Sequence, residues 1–331
     1  MTKIIIEKTP TKDDFRNWLA TMKVVWPLAD KTYEELLWAF YQPYISCPVV
    51  HARLSGQSQI MGTRGAFYVQ MKYGNDDLKC IQVGDTCVHP DARRHGIFSR
   101  MNREFVEATT IEGYNFIYNV SVDVARKAYE KLGWKYLRGF NLYVRPRGLT
   151  SSVRVLRNIR AFSVVENDHN EHCTKLSDDD IDRVFSITER TSADFSGKIF
   201  VTKDRGYLSW RLRKPTQNYR LVVDNEFGYI IYKLVTRAHK IRDVFIGEIR
   251  LLGDKDYSFQ KLLSLLKVRE EYDIVSVMLS KGHPYYKVIN ENFIRRWKSY
   301  NFGTRELNAV TSVDIFDLQN WAVSSLDIDT Y

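Results

Sequence analysis

The chain of 331 residues has only four cysteines, Cys47, Cys80, Cys87 and Cys173, and none stands at a spacing used by a zinc site or a disulfide framework. They read as buried thiols of a reducing compartment, which points to the cytoplasm, and no metal is expected. No apolar run is long enough to span a bilayer, so membrane insertion is not expected. A charged-then-apolar leader is also lacking: Met1-Thr2-Lys3-Ile4-Ile5-Ile6-Glu7 reads as an edge strand. Zinc-finger spacing, RNA-binding aromatic motifs and helix-turn-helix signatures are missing, so a nucleic-acid partner is not expected.

What is present is a globular composition. Hydrophobic residues make up 44% of the chain and aromatic residues 13%, enough for two packed cores and against disorder. The length favours two domains. The net charge of +9 is uneven, since residues 89–160 hold 14 Lys/Arg against 6 Asp/Glu. Such a stretch attracts a phosphate-bearing partner, either a nucleotide-like cofactor or a nucleic acid, or it is a solvated face.

The basic stretch opens on a phosphate-binding pattern. In Thr86-Cys87-Val88-His89-Pro90-Asp91-Ala92-Arg93-Arg94-His95-Gly96-Ile97-Phe98-Ser99, a β-branched strand end meets a proline turn and a basic tripeptide. A helix follows at once, with Ile97, Met101, Phe105 and Ala108 forming its apolar stripe. Exposed amides and the positive end of the helix dipole then point at one spot. Phe116-Ile117-Tyr118-Asn119-Val120 is predicted as a buried strand parallel to 82–88, because strand–helix–strand crossovers are parallel and right-handed. Next, Ala125, Ala128, Tyr129 and Leu132 share one helix face, which Gly133 ends.

The order Val88-x-Pro90-x-x-Arg93-x-x-Gly96-Ile97, followed by Tyr129-x-x-x-Gly133-Trp134, resembles the two signatures of the GCN5-related N-acetyltransferase superfamily. Arg94 stands where a glycine is common and Phe98 where a second small residue is usual. The resemblance implies a mixed α/β (α+β) sheet in which strands 82–88 and 116–120 splay to admit acetyl-CoA or another short acyl-CoA. It implies that Arg93, Arg94, His95, Gly96, Ile97, Phe98 and Ser99 hold the cofactor phosphates, and that the amide at Val88 receives the oxyanion. Tyr129 would protonate the departing thiolate, a task that suits a neutral phenol on a rigid helix, although it also fits a core tyrosine. Asn119 either contacts the cofactor or caps its strand. Asp85 is a candidate base for the acceptor amine, or a strand aspartate paired with a lysine. Glu34 and Glu35 are read as a solvated helix face.

The first domain spans 1–148 and 149–172 is a polar connection. Residues 173–331 repeat the order of helices, antiparallel strands, helix, strand, short helix and a last strand at 294–300, and are read as a second, degenerate acetyltransferase-like domain. Its counterpart of the phosphate loop, Gly253-Asp254-Lys255-Asp256, carries two aspartates that would repel a diphosphate, so this domain is expected to shape the acceptor pocket instead. The layout resembles the tandem N-acyltransferase branch, some members of which are associated with surface-polysaccharide synthesis. That implies transfer of an acyl group to a primary amine on a small molecule, with an amino sugar as the expected acceptor. The rival functions are a tRNA-dependent aminoacyl or peptidyl transferase and a non-enzymatic nucleic-acid-binding protein. Trp210 and Trp321 are expected as core anchors. Asp327, Asp329 and the carboxylate of Tyr331 form either a frayed tail or, as in some relatives, a chain end that reaches the active site. Nothing in the sequence indicates an oligomeric state.

Overall fold

The computed structural model describes residues 4–27, 29, 31–56, 58–149, 151–153, 165–167 and 175–328. Strand β1 (Ile4–Glu7) leads to helix α1 (Lys12–Val25), whose first turn is closed by Thr11 and Asp14 in a reciprocal cap. Helix α2 (Tyr33–Leu36) starts on Thr32, whose hydroxyl accepts from the Glu35 amide at 3.1 Å, and runs into a π-helical turn, Leu37–Tyr41. Three antiparallel strands follow, β2 (Val50–Leu54), β3 (Ile60–Tyr73) and β4 (Asp76–Val88). Helix α3 (Ile97–Ile111), strand β5 (Phe116–Ser121), helix α4 (Asp123–Glu130) and strand β6 (Lys135–Pro146) complete the first half.

The second half holds β7 (Val165–Asn167), α5 (Asp178–Arg190), β8 (Phe200–Val201) and α6 (Arg205–Leu212). The meander β9 (Arg220–Asp224), β10 (Gly228–Arg237) and β11 (Ile241–Leu251) comes next. Helix α7 (Lys255–Arg269), β12 (Ile274–Ser280), α8 (Tyr286–Asn292) and β13 (Ile294–Glu306) close it. The element order matches the sequence reading in both halves except for the short strands β7 and β8, which the reading does not contain. The 149–172 connection and Cys173 fall largely or wholly outside the described residues, as do Asp329 and Tyr331.

Among the described residues, one thirteen-stranded mixed sheet runs through both halves. Strand β13 inserts between β5 and β6, with Phe302 opposite both Val120 and Leu137, and β6 pairs on its other edge with β12. Strand β13 is longer than the predicted 294–300 because residues 301–306 complete the open edge of β5.

Strands β4 and β5 are parallel over Cys80–Gln82 against Phe116–Tyr118, and then part. Beyond that point β4 stays with β3 while β5 stays with β13. A bulge in β4 lies just beyond the parting. Thr63 faces Cys87 and Gly65 faces Gly84, so Asp85 and Thr86 together oppose Arg64, with Asp85 at φ 48°. Two faces flank this fork. Helix α3 covers one, and the π-helical turn covers the other, where the Phe40 ring packs so closely on Gly65 that no Cβ would fit.

The C-terminal segment is docked. Trp321 is fully buried against Phe116, Tyr118 and Phe302. Gln82 and Tyr118 donate to the Asp327 carbonyl at 3.1 and 3.0 Å, and Arg211 donates to the carbonyls of Leu326 and Ile328. The Asp327 carboxylate shares Lys203 with Glu248, at 2.7 and 3.1 Å, and Arg250 completes a buried row of alternating charges. Asp327 is thus part of the core.

Candidate active site

The loop after β4 makes a one-turn 3-10 helix at Pro90–Ala92 and then two left-handed residues, Arg94 (φ 66°) and Gly96 (φ 71°). Gly96 is the N-cap of α3 and brings no side chain to satisfy the first-turn amides, which by helix geometry have no intrahelical acceptor. Val88, Ala92, Arg93, Arg94, Gly96, Ile97 and Phe98 line a cavity of about 220 Å³ at this point. Arg93 to Gly96 are exposed, Ile97 is buried, and Phe98 and Ser99 are half-buried. Positive charge, free amides and the helix dipole meet in one place.

Tyr129, near the end of α4, is buried beside this cavity, its ring 5.3 Å from that of Phe98 and 4.9 Å from that of Trp134. Arg64 Nη1 donates to the Tyr129 hydroxyl at 3.2 Å. Asn119 sits on β5 just past the fork, buried, and its Oδ1 has no partner among the described residues. The sequence reading missed Arg64, although a lone arginine in the apolar strand Ile60–Tyr73 was a visible signal.

The opposite face of the fork carries a row of charges. Asp85 pairs with Lys31 at 3.0 Å, Lys31 with Glu35 at 3.1 Å, and Glu35 with Lys214 at 2.9 Å. Glu34 is exposed as expected, whereas Glu35 is buried, because Lys214 from the second half lies over it. Trp38 stacks on Trp210 at 4.4 Å, each indole N–H donating to the other's carbonyl, and Phe67 and Phe40 extend the wall. Trp210 is therefore half-exposed in an aromatic wall, whereas Trp321 is a core anchor.

The second half repeats the parallel pair, with β11 and β12 joined over Asp243–Ile246 and Ile274–Val277. Its helix start is already satisfied, since Asp254 caps α7 by accepting from the Tyr257 amide at 2.8 Å. Beyond the pair, β12 bridges to the C-terminal segment at Leu279 and Ser324. A carboxylate thus stands where α3 leaves open amides. Among the described residues no group of three or more His, Cys, Asp or Glu could hold a metal ion, and no helix is long and apolar enough to cross a membrane.

The geometry agrees with comparisons to known proteins. Residues 8–137 match the model of the acetyltransferase (GNAT) domain family. A GCN5-related N-acetyltransferase from Kribbella flavida superposes with a TM-score of 0.64 at 10% identity, covering 92% of this chain and 71% of the other. A probable N-acyltransferase of unknown function from Enterococcus faecalis gives 0.64 at 12% identity, covering 93% and 73%. Eis1 from Mycobacterium abscessus gives 0.59 at 13% identity, covering 92% and 74%. A comparison with curated protein sequences found no match. These likenesses establish the fold across both halves, and the family match establishes the lineage of the first: residues 8–137 form an acetyltransferase domain of the GCN5-related N-acetyltransferase superfamily.

Proposed function

We propose that the chain is an acyl-CoA-dependent N-acyltransferase that moves an acetyl or short acyl group to a primary amine. The observation that carries this reading is the side-chain-free start of α3, beside a forked strand pair, with a buried tyrosine next to it. The residues present fit coenzyme A. Open first-turn amides and Arg93, Arg94 and His95 suit its phosphates, and the Asn119 Oδ1, without a partner among the described residues, suits an amide N–H of its arm. When bound, acetyl-CoA supplies a thioester carbon open to an amine, the C–S electron pair passing to sulfur as the C–N bond forms.

Each residue then has a task. The amides of Gly96 to Ser99 and the basic loop anchor the phosphates, and the β4 backbone at Val88 provides an amide for the carbonyl oxygen. Tyr129 gives its proton to the leaving sulfur. Asp85, at the bulge where the strands part, is the proposed acceptor of the amine proton, with Lys31 fixing its side chain. The acid thus lies on the α3 face and the base at the fork, so the two proton movements do not compete. Three cysteines among the described residues are free thiols, which suits the cytoplasm as the working compartment.

For the acceptor we propose an amino sugar. The support is the resemblance to the tandem branch, together with an aromatic wall of Trp38, Trp210 and Phe67 beside the Lys214–Glu35 ion pair, aromatic faces and charged groups being suited to a sugar. The second half is proposed to be non-catalytic, its helix start being capped by Asp254. Release of free thiol from acetyl-CoA, measured over a panel of amino sugars, polyamines and peptides, tests the reading. Thiol release with amino sugars supports it, whereas acylation of peptides alone overturns the sugar assignment. Failure to bind acetyl-CoA would favour the tRNA-dependent or non-enzymatic alternatives.

A further inference from the structure

Arg64 is fully buried on the α3 side of the fork, and the reading above gives it no chemical task. Strand β3 carries it opposite the bulge residues Asp85 and Thr86. Its guanidinium lies over the Phe105 ring at 4.6 Å and 5.7 Å from the centre of the Tyr129 ring. One nitrogen is satisfied, since Nη1 donates to the Tyr129 hydroxyl, while Nε and Nη2 have no partner among the described residues. No carboxylate among the described residues pairs with it, and burial pushes its pKa down. The groups facing it are the phenols of Tyr129 and Tyr136 and the guanidinium of Arg305, whose own pKa is lowered by its burial and then by Arg64.

Burying a cation without a counter-charge is costly, and one aromatic face offsets only part of that cost. Two free donors beside a phenol are what a transient anion would use. A guanidinium has donors only, so the Tyr129 oxygen must accept from Nη1 and its own proton is directed at some other group.

We propose that Arg64 is a positioning residue that fixes the Tyr129 phenol as a donor toward coenzyme A sulfur and offsets the negative charge that sulfur acquires on leaving. This rests on the proposed role of Tyr129. In the balanced step the C–S bond breaks with its electron pair on sulfur, sulfur takes the phenol proton, and the proton lost by the amine restores the phenol through Asp85 and solvent. Arg64 remains protonated throughout.

The test needs no knowledge of the acceptor. Free coenzyme A is titrated calorimetrically into the intact protein from pH 7 to 9, through the ordinary thiol ionisation near about 8.5. The thiolate stands in for the departing sulfur. The parent is expected to gain affinity with pH, roughly tenfold, the scale of a hydrogen bond to a charged group. A coenzyme A analogue with hydrogen in place of the thiol should show no gain. Arg64→Gln should hold the gain under about twofold, and Arg64→Lys should keep part of it. If Arg64→Gln fails to fold, the parent with and without the sulfur, and Arg64→Lys, still decide. A gain that survives intact in Arg64→Gln overturns the proposal and leaves Arg64 a packing residue. Sulfur-independent binding in the parent overturns it while leaving coenzyme A binding standing. No binding by the parent overturns both.

Discussion

Gly96→Val separates the cost of a substitution to the fold from its cost to the cofactor site. Gly96 sits at φ 71°, where an L side chain is strained by about 1–2 kcal/mol, and more for a β-branched one. A Cβ there would meet no atom within 4 Å, so the folded chain adds no collision to that strain. The melting temperature should fall by only a few degrees, about 2–4 °C per kcal/mol for a chain of more than 150 residues. The new methyls would occupy the open side of the α3 start, where phosphate oxygens must approach the amides. Losing two charge-assisted hydrogen bonds, at about 1.5–3 kcal/mol each, lowers affinity for coenzyme A by roughly 10²-fold to 10⁴-fold. Calorimetric titration with coenzyme A, alongside a thermal melt of the same sample, reads both effects. A variant that melts a few degrees lower yet binds coenzyme A as the parent does would refute the phosphate assignment.

Other substitutions probe the rest of the account. Tyr129→Phe should keep coenzyme A affinity and lose roughly 10²-fold or more in turnover, and a variant that turns over like the parent makes Tyr129 a packing residue. Lys203→Met leaves the buried carboxylate of Asp327 without its cation and should cost about 3–5 kcal/mol in urea denaturation, with a loss under about 1 kcal/mol counting against a stapled C-terminus. His283 is buried beside Phe195 and Tyr285, and burial lowers its pKa from 6.5 to about 3. The unfolded chain therefore binds a proton that the fold refuses, and the stability present above pH 6.5 is lost on acidification toward pH 3 at about 1.4 kcal/mol per pH unit. His283→Gln should flatten that acid slope between pH 6.5 and 4.5, and equal slopes in parent and variant would contradict the assignment.

What was legible in the sequence was local. Gly96 before the periodic run Ile97, Met101, Phe105 marks a helix start without a side-chain cap, and the helix begins there. Asp254 was legible only as a charge that would repel a diphosphate, and the structure adds that its side chain accepts from the Tyr257 amide, the position that Gly96 leaves open. The parallel strands on either side of α3 followed from crossover geometry. What was not legible is non-local. The sequence marks 294–300 as a strand but does not show that it extends to 306 or inserts between β5 and β6, because strand partners are set by edges distant in the chain. Glu35 read as solvated from its helix face, and only Lys214 from the second half buries it. Arg64 is a single residue without a motif around it, and its meaning comes from Tyr129 lying beside it in the fold.

The central claim is that the start of α3 and the β4–β5 fork form an acyl-CoA site, and calorimetric titration of acetyl-CoA into the unmodified chain tests it most directly. The account predicts one site per chain with micromolar affinity, weakened by rising salt because phosphates supply much of the contact. Absence of heat and of any melting shift at millimolar acetyl-CoA would contradict it.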